Sequence, residues 1–224
     1  MAAQRLTGFY AGLAMIVVLG AGALWLARRS GQGTGPQVVA PAPAVTPGTF
    51  QGYVQGSDSA PVTIIEYADF ECPACAQFAV LTGPDIKQRL VATGRVRWIF
   101  RDFPLEGHRN SMPAHLAAAC AFEQGRFWEM HDQLYFNHRR WVLESRPERR
   151  IRELARAIGL DERPFNECLS SARYRDRILA TRQIGIERGV SSTPTFEINN
   201  LRVSGALGFD SLRVLVDRVS PPKP

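Results

Sequence analysis

The chain has 224 residues, of which 45% are hydrophobic, and a formal net charge of +6. This supplies one good-sized core, and no repeat at the period of a solenoid or propeller is visible, so those classes are excluded. The positive charge is almost wholly arginine, Lys87 and Lys223 being the only lysines, and it is interleaved with acids, as from Arg146 to Arg156. No basic stripe with interleaved aromatics is present, so nucleic acid is not expected as a partner.

Residues 1–29 read as a membrane-targeting segment, because Phe9 to Ala27 is uncharged and close to the roughly 20 residues that cross a bilayer as a helix. It is a signal anchor or a long signal peptide. Ala21 and Ala23 have the small-residue spacing of a cleavage site, but Leu24, Trp25 and Leu26 carry the apolar run beyond it, which favours an uncleaved transmembrane anchor. Arg5 on one flank and Arg28 with Arg29 on the other leave its orientation open. Residues 30–49, rich in Gly, Pro, Ala and Thr, make a flexible tether. A folded domain is expected over 50–219, with 220–224 as a frayed tail.

Within the domain, Val62 to Tyr67 is β-branched and apolar enough for a central strand buried on both faces. A helix follows from Cys72, with Phe78, Leu81, Ile86 and Leu90 as expected core contacts. Val96 to Phe100 is a second strand, and Arg101 to Leu105 a loop. Phe127, Met130, His131, Leu134 and Tyr135 recur at i, i+3, i+4, i+7 and i+8, the stripe of a buried helix, so His131 reads as a core residue. Further helices are expected over 112–124, 147–158, 161–170 and 174–188. Strands 195–198 and 201–204 flank a tight Asn199-Asn200 turn, and a helix over 209–219 closes the domain.

Cys72-Pro73-Ala74-Cys75 stands where the first strand gives way to helix, the placement of a dithiol redox centre. The thiolate is the reactive species, and the unpaired N–H groups and dipole of a helix N-terminus stabilise it. Cys72 is therefore expected to titrate below an ordinary cysteine. Pro73-Ala74 adds no charge, and Glu71 opposes the thiolate. The motif alone also fits half of a zinc site completed by Cys120 and Cys168, but zinc ligands come in close pairs and these two stand apart. No metal and no cofactor is expected, and His108, His115 and His138 show no metal spacing. Cys120, within Ala117 to Ala121, and Cys168, on one helical face with Phe165 and Leu169, read as buried, either as two inert thiols or as a bridge.

The segment Glu66-Tyr-Ala-Asp-Phe-Glu-Cys-Pro-Ala-Cys-Ala-Gln-Phe78, with Arg188-Gly-Val-Ser-Ser-Thr-Pro-Thr195 leading into the late hairpin, resembles the DsbA-like branch of the thioredoxin superfamily. The likeness covers nearly the whole domain. It implies an α/β thioredoxin fold with a helical subdomain inserted at about 106–188. Cys72 would be the exposed nucleophile that forms a mixed disulfide, and Cys75 the buried partner that resolves it. Pro194 would be a cis-proline against the dithiol. Thr193 would offer its backbone to an extended substrate, with Pro73 and Ala74 beside it. Glu66 would be a buried acid beneath the dithiol, raised in pKa and exchanging protons with Cys75. Cys120 and Cys168 would form a structural bridge.

The resemblance further implies a thiol-disulfide oxidoreductase that introduces disulfides into exported proteins, anchored to the membrane with its domain on the extracytoplasmic side. A membrane redox partner of the DsbB or VKOR type would reoxidise it. The short tether leaves no room for a dimerisation domain, so a monomer is expected. Two rivals remain at this point. One is the same chemistry in reverse, a thiol reductase or disulfide isomerase, for example for cytochrome c maturation. The other is a chaperone-like binding module that uses the surface near Pro194 and for which the cysteines are incidental.

Overall fold

The structure, a computed structural model, describes residues 36–40 and 50–221. The uncharged run from Phe9 to Ala27 and most of the tether lie outside them. Among the described residues no helix is long and apolar enough to cross a membrane. The chain divides into two compact units between Gln37 and Val38, and every residue implicated in thiol chemistry belongs to the second.

β-Branched side chains make Val62–Ala68 (β2) a central strand, buried on both faces. It runs parallel to Val96–Asp102 (β3) and antiparallel to Thr195–Ile198 (β4). Tyr53–Gln55 (β1) pairs antiparallel with β3, and Leu201–Ser204 (β5) antiparallel with β4. The spatial order is thus β5-β4-β2-β3-β1. Parallel neighbours need a crossover, and here it is helical: Pro73–Leu81 (α1), Gly83–Ile86 (α2) and a wider π turn, Lys87–Val91. The helices Ser111–Glu123 (α3), Phe127–Phe136 (α4), His138–Trp141 (α5), Glu148–Ala157 (α6), Glu162–Ser171 (α7) and Arg175–Glu187 (α8) form the insert between β3 and β4. Phe209–Val219 (α9) ends the fold.

Strand side chains alternate in direction, so register decides what each face carries. Glu66 lies opposite Phe100 and Phe196 on its two neighbours. It therefore shares a face with Ile64 and Trp98, and that face meets Phe78 of α1 and Leu212 and Val216 of α9. Ile65 and Tyr67 point the other way, into a smaller cluster with Ile99, Phe103 and Val190. On that side Gly185 of α8 lies against the sheet: an added Cβ would stand 2.7 Å from the Phe103 ring and 3.1 Å from that of Tyr67. Gly185→Ala is therefore expected to destabilise the domain by about 1–3 kcal/mol, from overpacking alone, in denaturant unfolding.

Several expectations need correction. The helix from Cys72 does not run on as one element, because Gly83-Pro84 interrupts it and proline has no N–H to continue the ladder. The break re-aims the chain, so that Ile86 and Leu90 are buried at 1% exposure while Leu81 stands 69% exposed. Arg101 and Asp102 belong to β3, not to a loop, their register opposite Tyr67 and Ala68 extending the parallel pair. The edge strand β1 was not expected at all.

Candidate active site

The chain leaves β2 at Ala68 and turns once before α1. The turn closes through Cys72 N–H, which donates to the Asp69 carbonyl at 3.1 Å. Cys72 is the N-cap of α1, in extended conformation, and Pro73 occupies the first turn, where its missing N–H costs no helical bond. On the opposite side the Thr193–Pro194 bond is cis, and Pro194 is buried. This places the Thr193 carbonyl 3.4 Å from Cys72 Sγ.

Cys72 is not exposed, as the resemblance implies, but 6% accessible, because the Thr193-Pro194 turn closes against it. Its thiol is held down to about 5. The Cys75 thiol, donating to it, is the largest single cause; burial works against it, and Thr193 and the N–H groups of Cys75 and Ala74 assist. Cys75 is fully buried, and burial, with Cys72 and Glu66 nearby, pushes its thiol well above 9.0. The two sulfurs are thereby set far apart in acidity. Glu66, at 0% exposure, takes the Trp98 indole N–H at 2.9 Å on one oxygen, and the other has no partner. Burial lifts its carboxyl to about 8.

Pro73 is exposed and Ala74 half-buried. An open groove of about 580 Å³ runs from Pro73 past Val80 and Leu81 to Phe136 and Arg140. Phe136 is 76% exposed there. Glu71 does not face the thiolate as expected, because its carboxylate accepts the Asn110 N–H at 2.6 Å. Cys120 and Cys168 are joined by a disulfide between α3 and α7, which removes both as metal ligands. His131 is buried, its Nδ1 2.8 Å from Asp132.

A family model described as thioredoxin matches residues 49–218. The fold also resembles that of Wolbachia pipientis alpha-DsbA1, with a TM-score of 0.68 at 23% identity, covering 74% of this chain and 89% of that one. The chain belongs to the thioredoxin family, and its fold is DsbA-like. It is 26% identical over 168 residues to the probable disulfide bond formation protein D of Bacillus anthracis, over 73% of this chain and 76% of that protein. It is also 38% identical over 165 residues to the Na(+)/H(+) antiporter NhaA 3 of Salinispora tropica. That match takes in 73% of this chain but 24% of the antiporter, so the chain spans about a quarter of the length of such relatives.

Around the dithiol lies a polar collar that no local sequence pattern announces. Asp69, Asp102, Asn110, Ser111 and His115 are all buried against the segment that leads to Cys72. His138 reaches the same segment, its Nε2 2.8 Å from the Glu71 carbonyl. The partners of these histidines are carboxylates and carbonyls rather than one another. Asp69, three residues before Cys72, is the one sequence signal that points to the collar.

Proposed function

We propose that this DsbA-like protein is a thiol-disulfide oxidoreductase that donates a Cys72–Cys75 disulfide to exported proteins as they fold. The observation that carries this reading is the acidity of Cys72, about 5, at the N-cap of α1 and against the cis-proline turn. A thiolate that stable favours the dithiol over the disulfide, which is the property of an oxidant, and makes Cys72 the better leaving group.

A substrate thiolate attacks Cys72 Sγ of the disulfide, and the bond to Cys75 breaks. Cys75 leaves with the electron pair and takes up a proton, its thiol being far above the ordinary range. Glu66, carrying a proton up to about pH 8, supports that transfer from beneath. A second substrate thiolate attacks the substrate sulfur of the mixed disulfide and expels Cys72 as a thiolate. The substrate loses two electrons to the protein. Thr193 would pair with the bound segment through its backbone, and Pro73 and Ala74 would flank it.

On this reading residues 1–29 anchor the domain outside the cytoplasm through the 30–49 tether, and a membrane partner of the DsbB or VKOR type reoxidises the monomeric protein. That part rests on the sequence and the family. The equilibrium reduction potential of Cys72–Cys75 against glutathione, read by mass spectrometry so that Cys120–Cys168 is scored apart, tests the direction. A value of about −120 to −150 mV is expected, and one near about −250 mV or below makes the protein a reductant instead. Cys75→Ser is expected to accumulate the mixed disulfide and Cys72→Ser to form none. A binding module would keep its activity in Cys72→Ser.

A further inference from the structure

Asp69 is bonded on one side to the dithiol and on the other to the helical insert. Its backbone reaches the dithiol: the carbonyl accepts the Cys72 N–H at 3.1 Å, and its own N–H helps to restrain the rise of the Cys75 thiol. Its carboxylate, at 0% exposure, meets residues that lie beyond β3. One oxygen accepts the Ser111 hydroxyl at 2.6 Å and the Glu71 N–H at 2.9 Å. The other accepts the Leu105 N–H at 2.8 Å and lies 2.7 Å from His108 Nδ1. Behind these, His115 Nε2 stands 3.7 Å from Asp69 and its Nδ1 2.7 Å from Asp102, His115 and both carboxylates being fully buried. Burial works to raise the Asp69 carboxyl, but His115, Ser111 and the Leu105 N–H overcome it and hold it at about 2.

A permanent negative charge is a poor neighbour for a centre whose working state is a thiolate, because a like charge disfavours ionisation. Its presence therefore needs a geometric reason. Three of its four close partners come from outside the turn, and they fix the orientation of a residue whose backbone bonds Cys72 and bears on the acidity of Cys75.

We propose that Asp69 is a positioning residue for the dithiol: the chain that follows β3, through Leu105, His108 and Ser111, locks its backbone, and that backbone seats Cys72 at the helix N-terminus beside Cys75. This deepens the oxidoreductase reading and rests on it. The sign of one measurement separates positioning from charge. Loss of the charge alone would let Cys72 titrate lower and shift the glutathione equilibrium further toward the dithiol. Loss of positioning does the reverse.

The experiment compares Asp69→Asn and Ser111→Ala with the wild-type full chain, equilibrating each with glutathione and following Cys72 by pH-dependent alkylation and mass spectrometry. In Asp69→Asn the amide sets a donor against donors. Cys72 is expected to titrate about one pH unit higher, and the constant for reduction by glutathione to fall about tenfold. Ser111→Ala, which keeps the charge and removes one bond, is expected to move both in the same direction, by about threefold in the constant. It also decides the matter if Asp69→Asn does not fold. A Cys72 that titrates lower in Asp69→Asn, or a Ser111→Ala protein matching wild type in both readings, overturns the inference. Wild type that fails to exchange with glutathione at all overturns the oxidoreductase reading itself, and the inference with it.

Discussion

Replacing Cys120 and Cys168 together by alanine is expected to lower the unfolding free energy by about 4 kcal/mol. The bridge closes a stretch of 48 residues, and in the chain-entropy account a loop of that size restricts the unfolded chain by about that amount. Both cysteines are 1% exposed, in a cluster with Ala117, Ala121, Phe165 and Leu169. Alanine leaves no buried polar group behind, but the missing sulfurs add a small cavity term in the same direction. Guanidinium unfolding of the two proteins, with Cys72 and Cys75 reduced in both, measures the difference. A loss under about 1 kcal/mol would mean that packing alone holds α3 to α7. The consequence reaches the active site, because α3 also begins with Ser111, one of the groups that hold Asp69.

How much of this was legible beforehand depended on how local the physics is. The β-branched run at Val62, the stripe from Phe127 to Tyr135 and the hairpin at Asn199 are set by near neighbours in sequence, and the observed elements fall within a residue or two of the expected ones. Asn199 adopts φ 51°, the left-handed conformation a two-residue turn calls for. The misses have the opposite character. β1 is three residues long and becomes a strand only because β3 lies beside it. Asp102 looks like a loop residue because an acid in a buried strand is costly, unless a partner is provided. The partner is His115, thirteen positions along. The Asp69 collar joins residues 36 to 42 positions apart, and no periodicity encodes such contacts. Leu81 departs from the helical stripe because that stripe does not continue through Gly83-Pro84, where the ladder stops.

The oxidised and reduced forms are expected to diverge in stability as pH rises from 5 to 9, by as much as about 1.4 kcal/mol for each pH unit. Cys72 titrates near 5 in the folded dithiol, against 9.0 for an unperturbed thiol. In that window the unfolded chain holds a proton that the folded one has released. The contribution is therefore complete above 9, shrinks as pH falls, and is gone below 5. Glu66 works the other way: at about 8 when folded, against 4.5, it stabilises fully below 4.5 and loses that contribution as pH rises through 8. His115, at about 9 against 6.5, loses its contribution on the way up through 9. The disulfide form has no Cys72 thiolate, so its stability is expected to fall from about pH 4.5 onward, and more steeply above 6.5. In the dithiol form Cys72 offsets Glu66 between 5 and 6.5, leaving a nearly level stretch. Guanidinium unfolding of both forms at pH 5, 6, 7 and 8 reads these slopes, and Glu66→Gln is expected to level the disulfide form below pH 6.5. A reduced-minus-oxidised difference that stays constant with pH would show that Cys72 is not held as a thiolate. Because folding and reduction form one thermodynamic cycle, each increment of that difference is also an increment in oxidising power relative to the unfolded chain. The acidity of one buried thiol thus sets both how the fold responds to pH and how strongly it drives disulfide transfer.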